Sequence, residues 1–196
     1  MGHSHTLALG REVIYSRPAS AALGVAFFIL AMVLGAYVRI PLPGTPVPIT
    51  LQTFFVVLSG AVLGKRLGLY SQAGYLLLGV VGLPVFQGYS SGISHFMGST
   101  GGYLIGFVFA SYIAGRLTET AGRPAIWRII LGFILGNAVI YTCGIAWLIY
   151  LYRIPLESAF LIGLLPFIPG EALKILCAAS VFSGISSRTS RIFSVK

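Results

Sequence analysis

Charge is what this sequence has least of. Only 9% of its 196 residues are charged, and 57% are apolar; soluble domains carry about 25% charged residues. The shortage excludes an ordinary water-soluble domain and marks an integral membrane protein. Acids are scarcer than bases, four against 13, which gives a formal net charge of +9. That balance suggests nucleic acid, but the basic residues sit at the ends of apolar runs. This is the topology signal of a membrane protein rather than a phosphate-binding patch, so no nucleic-acid partner is expected. Histidine occurs only at positions 3, 5 and 95. There is no Ser/His/Asp set, no metal-binding run of His or Cys, no paired aspartates and no Walker motif. The chain therefore reads as neither an enzyme nor a user of ATP on its own. His3 and His5 alone do not make a specific metal site. The two cysteines, Cys143 and Cys177, lie inside apolar runs. They read as packed small hydrophobes rather than a disulfide or a metal site. No cleavable signal peptide is expected, because the first apolar run exceeds a signal peptide's apolar core and lacks a clear cleavage site.

What is there is apolar sequence in about six stretches, as the length allows at about 20 residues per span plus loops. Residues 1–18 read as a polar cytoplasmic segment, 19–185 as one membrane domain and 186–196 as a basic tail. Spans are expected over 19–38, 49–63, 67–83, 101–117, 129–152 and 171–185. Span one carries Ala22, Ala26, Ala31 and Gly35 at helical spacing, a face that lets another helix approach closely. That helix belongs either to this chain's own bundle or to a separate subunit. Four prolines between positions 41 and 48 stiffen the next loop into an extended path suited to a lid. Gly60, Gly64 and Gly68 predict close packing around the basic turn Lys65-Arg66, as do Gly98, Gly102 and Gly106 at span four. Asn137 inside span five predicts an interhelical hydrogen bond.

The positive-inside rule orients the chain. With six spans, ten of the 13 cations fall on the side of both termini, Arg39 and Arg153 on the other, and Lys174 within the membrane. Both termini are then cytoplasmic, and the long loops rich in Pro, Gly and aromatics face outward.

The sharpest feature is Glu171 and Lys174, an acid and a base three residues apart in otherwise apolar sequence at 159–182. At that spacing they share one helix face. Ionisable groups in a bilayer are costly and usually face a partner, a cavity or the bundle interior. Pro169-Gly170 breaks the chain before them, which puts Glu171 in a first helical turn where the dipole favours a negative charge. About 15 residues separate Glu171 from the inner end of span six, roughly 22 Å of helix. The pair thus sits in the outer part of the membrane beneath the long loops. Either the two side chains only hold each other, or they recognise a small, mostly apolar solute with both donors and acceptors. Gln52 is a candidate pocket donor. Gln87 and Tyr89 either bind ligand or satisfy their own loop. Tyr75, Tyr89, Tyr103, Phe86 and Phe167 are candidate apolar walls.

Four motifs carry a resemblance. They are Pro-Leu-Pro-Gly-Thr-Pro-Val-Pro-Ile-Thr-Leu-Gln-Thr at 41–53, Gly-Val-Val-Gly-Leu-Pro-Val-Phe at 79–86, Thr-Gly-Gly-Tyr-Leu-Ile-Gly-Phe at 100–107 and Pro-Phe-Ile-Pro-Gly-Glu-Ala-Leu-Lys at 166–174. In this order, over about residues 19–183, the chain resembles the BioY family, the biotin-specific substrate-binding (S) components of energy-coupling factor transporters. The resemblance implies an all-α fold of six membrane helices in the cell membrane, biotin captured from outside and released inward, and no bound cofactor. It implies that Glu171 and Lys174 contact the ligand. It also implies that Ala22 and Ala26 on span one dock a transmembrane coupling subunit driven by two ATPases. Either Glu171 and Lys174 meet the ureido ring, with Arg39 or polar atoms of the outer loops at the valerate carboxylate, or the two ends are reversed. The chain departs from the family pattern at Glu171, where Asp is usual, and at Ser99, where Pro is frequent. The rival readings are an S component or transporter for another vitamin or small heterocycle, and a membrane subunit with no transport role.

Overall fold

A computed structural model describes residues 17–120 and 123–193. Most of the expected N-terminal segment, with His3 and His5, and the end of the basic tail lie outside the described residues. Six helices of 12 to 27 residues form the body: α1 (Arg17–Tyr37), α2 (Gln52–Leu63), α3 (Lys65–Val81), α5 (Gly101–Thr118), α6 (Ile126–Tyr152) and α8 (Ile168–Phe193). Two short helices, α4 (Gly92–Phe96) and α7 (Leu156–Gly163), lie in the connections. Three stretches are long and apolar enough to cross a bilayer, namely Pro18–Tyr37, Ile126–Tyr152 and Leu156–Ser186. At 1.5 Å per residue, the 12 residues of α2 cover only about 18 Å of a core about 30 Å thick.

The central helix is α5, which packs most extensively on α6 and also on α2 and α3. Missing side chains make these contacts. A Cβ at Gly60 of α2 would stand 1.9 Å from the carbonyl oxygen of Ser111 on α5. One at Gly68 would stand 2.7 Å from the Cα of Gly60, and one at Gly115 2.5 Å from the backbone nitrogen of Lys65. The expected glycine packing at the basic turn therefore exists, with one change. Gly64 is the turn itself at φ +83°, a conformation glycine adopts without steric cost. On the other side of α5, Gly106 lies against the backbone of Ile140 and Gly102 against Trp147. Large apolar side chains such as Leu23, Phe27, Leu30 and Leu34 are more than 60% exposed. A belt of this kind belongs to a protein solvated by lipid.

Four expectations change. The small residues of α1 do not form one face: Ala22 and Ala26 are exposed, while Ala31 and Gly35 are buried in the bundle, Gly35 against Phe55. Asn137 does not bridge helices; its amide donates to Phe133 O at 3.0 Å, one turn back on α6. The chain breaks at Leu164 (φ −133°, ψ −54°), not at Pro169-Gly170. Helix α8 begins at Ile168, so Pro169 sits in its first turn, where the absent N–H has no intrahelical partner to lose. Last, α8 continues to Phe193, past the expected end near residue 185.

The two long connections are ordered pieces. Strands β1 (Arg39–Ile40) and β2 (Ile49–Thr50) pair antiparallel, Arg39 opposite Thr50, and close the base of the proline-rich loop. The 84–100 connection contains a 3-10 turn at Gln87–Tyr89 and then α4. Ser99 ties the two connections together by donating to Pro46 O at 3.1 Å.

Candidate ligand-binding site

Glu171 is in the first turn of α8, as expected, and is 7% exposed. Its Oε1 accepts three hydrogen bonds: from Lys174 Nζ at 2.5 Å, Tyr141 Oη at 3.0 Å and Thr53 Oγ1 at 3.1 Å. Lys174 also donates to Thr53 Oγ1 at 2.6 Å and to Thr50 O at 2.9 Å. An ammonium has three donors, and all three are used. Helix α2 supplies Thr53, the segment before it Thr50, α6 Tyr141 and α8 the ion pair. The ion pair that a purely structural role requires is therefore present. It does not complete the chemistry of Glu171, because Oε2 is buried and no described group donates to it. A buried carboxylate oxygen without a donor costs more than one hydrogen bond gains, so the ion pair alone does not account for Oε2.

The cluster forms one wall of a cavity enclosing about 50 Å³. Its other walls are mostly apolar: Val47 and Ile49 from the proline-rich loop, Phe86 beyond α3, Leu104 and Phe107 from α5, and Phe167 before α8. Glycines seat the large rings. A Cβ at Gly79 would meet the Phe86 ring at 2.1 Å, and one at Gly144 the Tyr103 ring at 2.3 Å. The Tyr103 hydroxyl donates to Gly163 O at 2.8 Å, which fixes the ring between α6 and α7.

Of the residues expected at the site, Glu171, Lys174, Gln52, Gln87 and Tyr103 line this cavity, as do Phe86 and Phe167. Gln52 Nε2 donates to Tyr75 Oη at 2.9 Å, and Thr50 donates to Gln52 Oε1 at 3.2 Å. Tyr75 itself stands behind the wall, edge-on to Phe86. Two further candidates stand outside the lining. Tyr89 is 70% exposed and packs on Tyr37 instead of the cavity, because Gly88 and Tyr89 both take positive φ and turn it outward. Arg39 does not line the cavity either; its Nη1 donates to Gln87 Oε1 at 3.1 Å, one residue outside the wall.

Sequence reasoning passed over Thr53, Thr100, Tyr141 and His95. Thr53 was visible as a polar residue at the start of an apolar helix, one position from Gln52 but about 100° around it. Tyr141 gave no signal, since a tyrosine in an apolar span is usually packing. His95 lines the cavity with its ring stacked on Phe86, centroids 5.1 Å apart and planes 20° apart. Burial pushes its imidazole below the usual pKa, which favours the neutral form near pH 7. Among the described residues no group of three His, Cys, Asp or Glu is placed to hold a metal ion.

The chain is similar to known proteins. A protein of Pyrococcus horikoshii named probable biotin transporter BioY is 39% identical over 165 residues, covering 84% of this chain and 95% of that one. The biotin transporter BioY of Thermotoga maritima is 39% identical over 154 residues, covering 79% and 88%. The crystal structure of the S-component for biotin from an ECF-type ABC transporter superimposes with a TM-score of 0.78 at 26% identity, over 86% of this chain and 92% of that one. Residues 11–191 match the model of the BioY family, and with its four motifs folded around one cavity the chain belongs to that family.

Proposed function

We propose that this chain takes up biotin as the substrate-binding component of an energy-coupling factor transporter. It is a transport protein and not an enzyme. The observation that carries the reading is the Glu171 carboxylate, held on one oxygen by Lys174, Tyr141 and Thr53 and bare on the other, at the wall of a covered apolar cavity. Biotin is complementary to such a site. Its ureido ring carries N–H donors suited to Oε2, and its sulfur-containing ring suits apolar walls such as Phe107 and Phe167. Gln52 and Tyr103 complete the pocket. The valerate carboxylate points toward the loop end, where Gln87 and His95 line the cavity and Arg39 stands behind Gln87.

In the membrane, the helices form six spans over residues 19–185, with residues 1–18 and 186–196 cytoplasmic. The cavity end faces outward under its two loops, and the Lys65 turn faces the cytoplasm. The excess of Lys and Arg at the Lys65 end supports this orientation. The chain sits in the cell membrane. The exposed Ala22 and Ala26 of α1 offer a smooth strip for a transmembrane coupling subunit, which ATPase subunits drive.

The test is equilibrium binding of labelled biotin to the purified chain in detergent, for wild type and Lys174→Ala. Saturable wild-type binding that the variant loses supports both ligand and site. Equal binding by the two places the pocket elsewhere. A folded wild type that binds no biotin, but does bind another heterocycle in a competition panel, replaces the ligand.

A further inference from the structure

Donors around the cavity are already committed at one end. Lys174 spends its three N–H groups on Thr50, Thr53 and Glu171. Tyr141 donates to Glu171, Tyr103 to Gly163 and Gln52 to Tyr75. At the loop end the situation is reversed. His95 Nε2 is buried and has no partner. Its ring is held by Phe86, which is fully buried. Besides Lys174, His95 is the only described lining residue able to carry positive charge.

From this we infer that His95 Nε2 anchors the acidic end of the ligand and sets the preference for an acid over its neutral analogues. The inference rests on the proposed biotin reading and extends it to a residue outside the four motifs. A neutral imidazole offers one N–H; a carboxylate brought against it favours the imidazolium, which gives a charge-assisted hydrogen bond. Binding of the acid then takes up a proton. The other titratable groups around the cavity are Glu171 and Lys174 from α8, Tyr103 from α5 and Tyr141 from α6. Arg39 stands behind Gln87, and Tyr75 behind Phe86.

The test measures binding of biotin and of its neutral amide to the full chain in detergent from pH 5.5 to 8.5, for wild type, His95→Gln and Arg39→Gln. The expected wild type prefers the acid by about tenfold near pH 6, and the preference shrinks as pH rises, by at most about tenfold per unit for one proton. His95→Gln should lose that preference and the slope, so that biotin and the amide bind alike at every pH. The wild-type series alone can refute the inference: biotin and amide with the same pH profile overturn it without any variant. A preference that survives in His95→Gln and vanishes in Arg39→Gln overturns it in favour of the arginine. Wild type that binds neither compound at any pH removes the biotin reading itself, an outcome distinct from both.

Discussion

The two ends of the bundle are held by opposite means. At the Lys65 end, helices α2, α3 and α5 cross where Gly60, Gly68 and Gly115 have nothing to place between them. The hydroxyls of Ser59 and Ser71 there turn back to carbonyls of their own helices, at 2.7 Å each. At the cavity end, four side chains from three helices gather on one oxygen of Glu171 or on each other. The first end is fixed by backbone contact and tolerates no added atom. The second is fixed by charge and keeps one acceptor in reserve. A frame and a site can share one small bundle when their stabilising interactions are this separate.

The largest effect should come from breaking the frame. In Gly60→Val, the new Cβ falls 1.9 Å from the Ser111 carbonyl, on backbone that cannot step aside. The cost should exceed the about 1–3 kcal/mol of ordinary overpacking. The expected outcome is loss of monodisperse protein on gel filtration. Normal yield with normal biotin binding would show that the crossing is not the frame.

Breaking the site should spare the fold and remove binding. Lys174→Ala leaves the Glu171 carboxylate without its counter-charge and misplaces the acceptor, and should weaken biotin by at least about 30-fold, about 2 kcal/mol. The double variant Lys174→Met, Glu171→Gln sharpens the contrast. It removes both charges together and should recover most of the melting temperature that Lys174→Ala loses. It should not recover binding. Recovery of both would mean that the pair only braces helices.

Finer changes probe how the carboxylate is set. Tyr141→Phe removes one hydrogen bond to Oε1, worth about 1 kcal/mol, and should weaken biotin about fivefold in the same assay. Glu171→Asp draws the carboxylate back by one methylene, away from Tyr141 and Thr53. A loss of about tenfold is expected, and unchanged affinity would mean that the ligand follows the shorter acid.

Much of this division can be read from the residues themselves. The glycine spacing at 60, 64 and 68 forecast a close crossing, although the helix breaks at Gly64 and Gly60 and Gly68 meet across that turn rather than along one helix face. Glu171 and Lys174 stood out because charge is rare in apolar sequence. What stayed hidden depends on tertiary placement. Tyr141 and Thr53 reach Glu171 only because α2, α6 and α8 converge, and no local pattern encodes that meeting. Tyr89 was misplaced because two positive φ values decide its direction. Ala22 and Ala31 looked alike in spacing, yet nine residues along a helix of 3.6 per turn is a half-turn out of phase, so one faces out and the other in.

The smallest expected effect tests whether the two ends are independent. Lys65 pairs with Glu119 at 2.9 Å beside the glycine crossing, with both side chains about one-third exposed (31% and 33%). Screened pairs of this kind contribute about 0.2–1 kcal/mol. The turn has other support, since Gly64 N donates to Gly60 O and Glu119 N to Gly115 O, each at 2.9 Å. Glu119→Gln should therefore lower the melting temperature slightly, and added salt should shrink the difference. Biotin affinity should stay within about twofold, a shift of about 0.4 kcal/mol. A larger change, with the fold intact, would mean that α2 and α5 carry strain from the turn to Thr53 and Tyr103. The crossing would then be part of the binding machinery rather than its frame.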